Sequence, residues 1–378
     1  MTDHWQNRDP RLAFVARGRV RTSAARLHCR SMTTPGITRW THEQPAVLVA
    51  NPTAHSGKAA DWIRHARALL DHAGVAHRFV PTEPEGATIE RVREAIDDAG
   101  ARAIIYMGGD GTFAEVAKGI LASQHAPDIV MGMLPTGTAN DQGKSFGLEP
   151  GPGQLERNVA VVAAGEVMPC DVGRLAIERA GKEVHRDLFF DSFSIGLGAA
   201  SLATRNRDRE RVGRIPGLGA IYRDQLVYIG AVVQRFVESY VVDVKFDLDA
   251  VIDGASHAYE HLIDVIIKNT RVFGGEWVFD DRARSDDGRF ELVPIAGRRD
   301  FTAKLLGTLR HGPIGLDDLQ RVGIEVEPAI TGARFELAVH GEGGVLPAAQ
   351  CDGEELPAGE LYRIAVVPRA LRLIVPAA

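Results

Sequence analysis

From Pro45 onward, apolar and polar positions fall into short regular blocks. Ala46 to Ala50 is an unbroken apolar run ending at Asn51-Pro52, which predicts a buried strand and a turn. Lys58 to Ala73 follows with Trp62, Ala66, Leu69 and Ala73 at helical spacing before Gly74, which predicts a helix with those residues on its inner face. Val75 to Val80 reads as a second strand, and Thr88 as the cap of a helix carrying Ile89, Val92 and Ile96. Ala103 to Met107, Thr112 to Ser123 and Ile129 to Leu134 then read as strand, helix and strand. Buried strands alternating with helices predict a parallel sheet covered on both faces, whose ligands sit at the carboxyl ends of the strands.

The rhythm changes after about Gly165. Val242, Val244, Phe246 and Leu248 alternate with charged residues, and period-2 stretches recur at Ile324 to Val326, Phe335 to Val339, Ile364 to Val366 and Leu371 to Val375. Many short alternating strands predict an antiparallel β-sandwich. The expected division is a basic, disordered arm over 1–40, an α/β domain over 41–165 and a β-sandwich domain over 166–378, with a cleft between the last two. Between the two patterned regions, Thr204 to Arg214 is strongly basic, and an amphipathic helix is expected around Tyr222 to Phe236.

Composition narrows the class. The 378 residues are 45% hydrophobic and 25% charged, as in soluble globular proteins. No run approaches the roughly 18 apolar residues of a spanning helix. Net charge is -6, yet residues 1 to 40 hold eight arginines against two aspartates. The acidic remainder argues against nucleic acid as a partner. Met32 precedes the first patterned strand, so a chain starting there would keep every element named above. Cys29, Cys170 and Cys351 are widely spaced and encode neither a disulfide framework nor a zinc site, and a reducing cytoplasm is expected.

Three segments carry chemistry, each at a strand end. Asn51 to Lys58 runs into a helix and can offer backbone N–H groups and a lysine to a phosphate, or be an ordinary strand-to-helix connection. It is no Walker A loop, because Ala59 stands where that loop has Ser or Thr. His55 reads as a solvated loop residue. Gly108-Gly109-Asp110-Gly111-Thr112 permits close backbone approach and projects one carboxylate, so it can hold phosphates and offer Asp110 to a metal, or be a tight turn with a capping aspartate. Pro135-Thr136-Gly137-Thr138-Ala139-Asn140-Asp141 adds hydroxyls, an amide and a second carboxylate at the next strand end.

These pieces, together with Asp171-Val172-Gly173, Asn269 with Gly274-Gly275, Asp286-Asp287-Gly288 and Asp352-Gly353-Glu354, occur in an order that resembles the diacylglycerol kinase catalytic-domain family, including bacterial soluble lipid kinases and sphingosine kinase relatives. The resemblance spans about residues 45 to 376. Gln142 departs from it, since the family usually has an aromatic or aliphatic residue there, and Glu276-Trp277 is also atypical.

The resemblance implies an ATP- and Mg²⁺-dependent lipid kinase acting on a diacylglycerol-like or sphingoid lipid, with a nucleotide-binding α/β domain and the active site in the cleft. It implies a nucleotide site formed by Asn51, Pro52, Gly57, Lys58, Thr82, Gly109, Asp110, Gly111, Thr112, Glu115 and Thr138. Asp110 would hold Mg²⁺, with Asp141 and Asp171 extending the acidic network. Glu354 would be the general base, buried beside Asp110, Asp141 and Asp352. A second metal site would use the Asp287 carboxylate and the carbonyls of Arg284 and Arg289. The implied setting is cytoplasmic with a lipid substrate at the inner membrane surface, and a homodimer stays open. The alternatives are an NAD kinase-like enzyme, which shares the Gly-Gly-Asp-Gly turn, and a non-catalytic lipid or nucleotide carrier.

Overall fold

The computed structural model describes residues 38–43, 45–54, 59–151, 153–200, 202, 245–272, 278, 283–296 and 328–377. All of these lie in the compact unit Ile37–Ala378. The basic arm up to residue 37, the Arg-rich run with the helix expected after it, Ile324 to Val326 and Gly274 to Trp277 lie outside the described residues.

The short strand β1 (Thr38–Arg39) precedes an alternating series: β2 (Ala46–Ala50), α1 (Ala59–His72), β3 (His77–Pro81), α2 (Ala87–Asp97), β4 (Ala103–Gly108), α3 (Asp110–Ala122), β5 (Val130–Pro135), α4 (Asp141–Ser145) and α5 (Gln154–Ala164). Strands β2, β4 and β5 are buried along their length, as parallel strands covered on both faces must be. Helix α1 buries Ala59, Ile63, Ala66 and Leu70 and leaves Trp62 42% exposed, so its inner face is turned one position from the expected stripe. The aliphatic residues fill the sheet face more closely than the large indole would. Thr88 is not the cap of α2. Gly86 holds that position at φ 75°, and the Thr88 hydroxyl, inside the helix, accepts from Glu83 N–H and donates to Glu83 O, both at 3.0 Å.

The β-rich remainder comprises β6 (Glu166–Arg179), β7 (Lys182–Phe189), β8 (Ser192–Gly196), β9 (Phe246–Ile252), β10 (Ala255–Leu262), β11 (Asp264–Lys268), β12 (Phe290–Ile295), β13 (Ile330–Gly332), β14 (Arg334–Gly341), β15 (Ala349–Cys351), β16 (Glu354–Leu356) and β17 (Leu361–Ile374). One sheet runs β10-β9-β14-β17-β5-β4-β2-β3, with β6 also paired to β17, and the other runs β13-β12-β11-β8-β15-β16. The alternation expected at Phe246 and Leu248 is present and continues inward through Ala250 and Ile252, while Val242 and Val244 lie outside the described residues. They meet Phe193, Ile195, Val265, Ile267, Phe290 and Leu292 of the second sheet in one core. Strand β17 is the shared element: it pairs antiparallel with β14 and β6 and parallel with β5 at Leu373–Met131. It therefore joins the β-rich strands to the first half of β5, the parallel strand whose far end leads into the Asn140-Asp141 turn. Among the described residues no helix is long and apolar enough to cross a membrane.

Candidate active site

The ends of β2, β4 and β5 meet because these strands are adjacent and parallel. After β2 the Asn51 carboxamide accepts the backbone N–H (2.9 Å) and the hydroxyl (2.8 Å) of Thr53, closing the turn around half-buried Pro52. Thr82, after β3, bonds through its N–H to Ala50 O at 3.0 Å. His55, Gly57 and Lys58 lie outside the described residues. A shallow pocket open to solvent is lined by Asn51, Trp62, Gly108, Gly109, Thr112 and Thr136 among others. The turned face of α1 thus delivers Trp62 to the candidate nucleotide site.

Two turns touch through bare backbone. A Cβ on Gly137 would stand 2.5 Å from Gly109 Cα, a distance no side chain tolerates. The Asp110 carboxylate spans the same junction, accepting N–H from Asn140 at 2.9 Å and from Gln142 at 3.4 Å. Asn140 holds a left-handed conformation (φ 54°), and its side-chain oxygen accepts Gly137 N–H at 2.9 Å. Burial raises the Asp110 pKa, opposed by the N–H donors of Gln142 and Asn140. Thr112 and Glu115 are half-buried on α3, while Gly111 and Thr138 are exposed.

The third component is the hairpin between β15 and β16. Asp352 (φ 47°) and Gly353 (φ 80°) form a two-residue turn with both residues left-handed. The Asp352 carboxylate accepts N–H from Phe190 (2.8 Å), Asp191 (2.8 Å) and Ser192 (3.1 Å), which seats the turn on the chain entering β8. Burial pushes the Asp352 pKa up to about 6. Glu354, expected to be buried, is exposed, because the turn projects it beyond the seated carboxylate.

Asp191 connects the parts. It is buried, accepts the hydroxyls of Thr270 and, at 3.2 Å, Ser192, and has its pKa pushed far up by burial and then by the charges of Asp141 and Asp352. Sequence reasoning missed it, although a lone acid inside the apolar run Leu188 to Ile195 was the available signal. Asn269 is structural: its side-chain nitrogen donates to Asp171 O (2.8 Å) and Phe190 O (2.7 Å).

Asp171 stands with the 284–289 turn. Its carboxylate accepts Gly288 N–H at 2.6 Å and Arg369 N–H at 2.7 Å, and burial, with the Asp287 and Asp286 charges, raises its pKa to about 6. Asp287 accepts Arg289 N–H at 3.0 Å, and the Arg284 guanidinium pairs with Asp286 at 3.2 Å. Among the described residues no three His, Cys, Asp or Glu side chains converge on a metal position. Mg²⁺ does not require such convergence, since it keeps several waters and takes one or two carboxylates. The Asp110 carboxylate is held by the N–H groups of Gln142, Asn140, Asp110 and Asp141, which fix its orientation at the strand end where a hydrated ion could meet it. Cys170 and Cys351 are buried free thiols.

Residues 45–175 match the diacylglycerol kinase catalytic domain. A Pseudomonas aeruginosa protein named "Probable lipid kinase YegS-like" is 29% identical over 321 residues, 83% of this chain and 90% of that protein. A Staphylococcus carnosus protein named "Diacylglycerol kinase" is 30% identical over 253 residues, 66% of this chain and 72% of that protein. The crystal structure of a diacylglycerol kinase from Bacillus anthracis str. Sterne matches with a TM-score of 0.61 at 16% identity, covering 91% of this chain and 99% of that one. At that identity the structural likeness speaks for the fold.

Proposed function

Because the chain belongs to the diacylglycerol kinase catalytic-domain family, we propose that it is an ATP- and Mg²⁺-dependent lipid kinase, transferring the γ-phosphate of ATP to a hydroxyl of a diacylglycerol-like or sphingoid lipid. The observation that supports this reading is the position of Asp191, whose carboxylate feels Asp141 on the nucleotide side and Asp352 on the hairpin side. One short-range electrostatic neighbourhood thus includes both partners a transfer needs.

In this reading the touching Gly109 and Gly137 turns receive the phosphates through backbone N–H groups, with Asn51, Lys58 and Thr82 around the nucleotide. Asp110 would hold Mg²⁺, which when bound would neutralise phosphate oxygens. The lipid hydroxyl oxygen attacks the γ-phosphorus as the bond to the β-phosphate oxygen breaks, and ADP leaves. Glu354 accepts the hydroxyl proton. Its exposure suits an acceptor that arrives from a membrane surface. The Asp287 carboxylate and the carbonyls of Arg284 and Arg289 would hold a second ion, beside the Asp171 carboxylate that Gly288 N–H reaches.

The test incubates purified protein with labelled ATP, Mg²⁺ and a lipid extract. Label is expected in a lipid phosphate. Glu354→Gln is expected to reduce turnover about a hundredfold, the usual weight of a general base, with ATP affinity unchanged by calorimetry. Label in NADP would select an NAD kinase, and binding of ATP and lipid without transfer would select a carrier.

A further inference from the structure

Helix α3 starts at Asp110 and carries Lys118 eight residues on, about 12 Å along its axis. Lys118 Nζ lies 2.7 Å from Asp187 Oδ1 on β7, with both side chains 25% exposed. Asp187 lies three residues before Phe190, the first of the three residues whose N–H groups hold Asp352. We infer that Lys118 is a positioning residue for phosphoryl transfer: it ties the helix that presents Asp110 to β7, whose chain continues directly into the residues that seat the Asp352–Gly353 turn, and so fixes Glu354 relative to the phosphates.

This rests on the kinase reading above. Charge supports the geometry. Burial opposes the Lys118 charge, yet Asp187, with Cys351 and Asp352 adding to it, raises its pKa overall. The same ammonium, with the N–H groups of Asp191, Phe190 and Ser192, favours the ionised form of Asp352, which burial opposes. The remaining groups near this junction are Cys351, Glu354 and His185, whose Nε2 is 3.9 Å from Asp187. A merely structural ion pair leaves the chemistry alone. A positioning role differs in kind, because displacement by a fraction of an ångström affects turnover before it affects nucleotide binding.

The experiment compares Lys118→Met, which keeps the stem, with Lys118→Arg, which keeps the charge. Lys118→Met is expected to lower kcat about tenfold or more with KM for ATP within about twofold, and Lys118→Arg to retain most of kcat. Independently of activity, carboxyl ¹³C NMR of the nucleotide-free protein should show the Asp352 midpoint rising by about half to one pH unit in Lys118→Met and staying put in Lys118→Arg. The Asp352→Asn spectrum assigns the resonance. An unmoved Asp352 midpoint, an unchanged kcat, or a kcat loss matched by a rise in KM for ATP would overturn the inference. If the parent protein phosphorylates no lipid, the kinase reading fails, and the NMR midpoint alone decides whether Lys118 is coupled to the Asp352 turn.

Discussion

Gln142 sits directly after the Asn140-Asp141 pair, is 1% exposed, and has a side-chain amide in which neither Oε1 nor Nε2 has a hydrogen-bond partner. A buried polar group left unpaired costs about 1–3 kcal/mol, so this residue opposes folding where an apolar one would favour it. Its backbone is engaged, the N–H with Asp110 and the carbonyl with Phe146 N–H at 3.3 Å. Gln142→Leu keeps that N–H and a similar volume while removing both unpaired atoms. The expected result is a gain of about 2 kcal/mol in urea unfolding, with ATP affinity unchanged. A loss of stability would mean that the amide is paired in solution.

At the scale of elements, the candidate site is a contact between turns. Gly137→Ala forces the β5 turn away from Gly109 by roughly 1 Å, because the new Cβ would otherwise stand 2.5 Å from Gly109 Cα. The Asp110–Asn140 bond spans that junction. Misplacement of this size costs about a hundredfold in turnover, and ATP affinity is expected to fall with it. Turnover and calorimetry on the variant check this, and parent-like values would show that the turns can part harmlessly.

The same scale explains what could be read in advance. The strands β2, β4 and β5 and the glycine turns were legible because buried parallel strands are apolar throughout and close backbone approach demands glycine. The face of α1 was misread because Trp62 counts as apolar although its size keeps it out of a close-packed sheet face. Asp191 and Lys118 were not legible as site residues, since their meaning depends on pairings such as Phe190 with Asp352, 162 positions apart. A lysine on a helix reads as solvated until the strand that receives it is known.

The whole molecule carries buried carboxylates that nothing in the fold neutralises fully. Asp352 is half-buried and Asp264 is 2% exposed, and burial is the largest cause raising their pKa values from 3.8 to about 6 and about 8. Asp264 accepts Gly198 N–H at 2.7 Å through one oxygen, while the other has no partner. A carboxyl raised in the folded state binds a proton more tightly there than in the unfolded chain. Its stabilising effect is therefore complete below the unfolded value near 4 and is lost as pH rises through the folded value. For Asp352 that loss falls between about pH 4 and 6, and for Asp264 it continues to about pH 8. Each group contributes a slope of up to about 1.4 kcal/mol per pH unit inside its window. Urea midpoints measured at pH 5, 6.5 and 8 should thus fall steadily in the parent protein. Asp264→Asn keeps an acceptor for Gly198 but cannot ionise, so its midpoint should change little between pH 6.5 and 8, where the parent continues to lose stability. Parallel slopes for parent and variant in that upper window would mean that Asp264 is already charged in the folded protein, with a counter-charge holding it there.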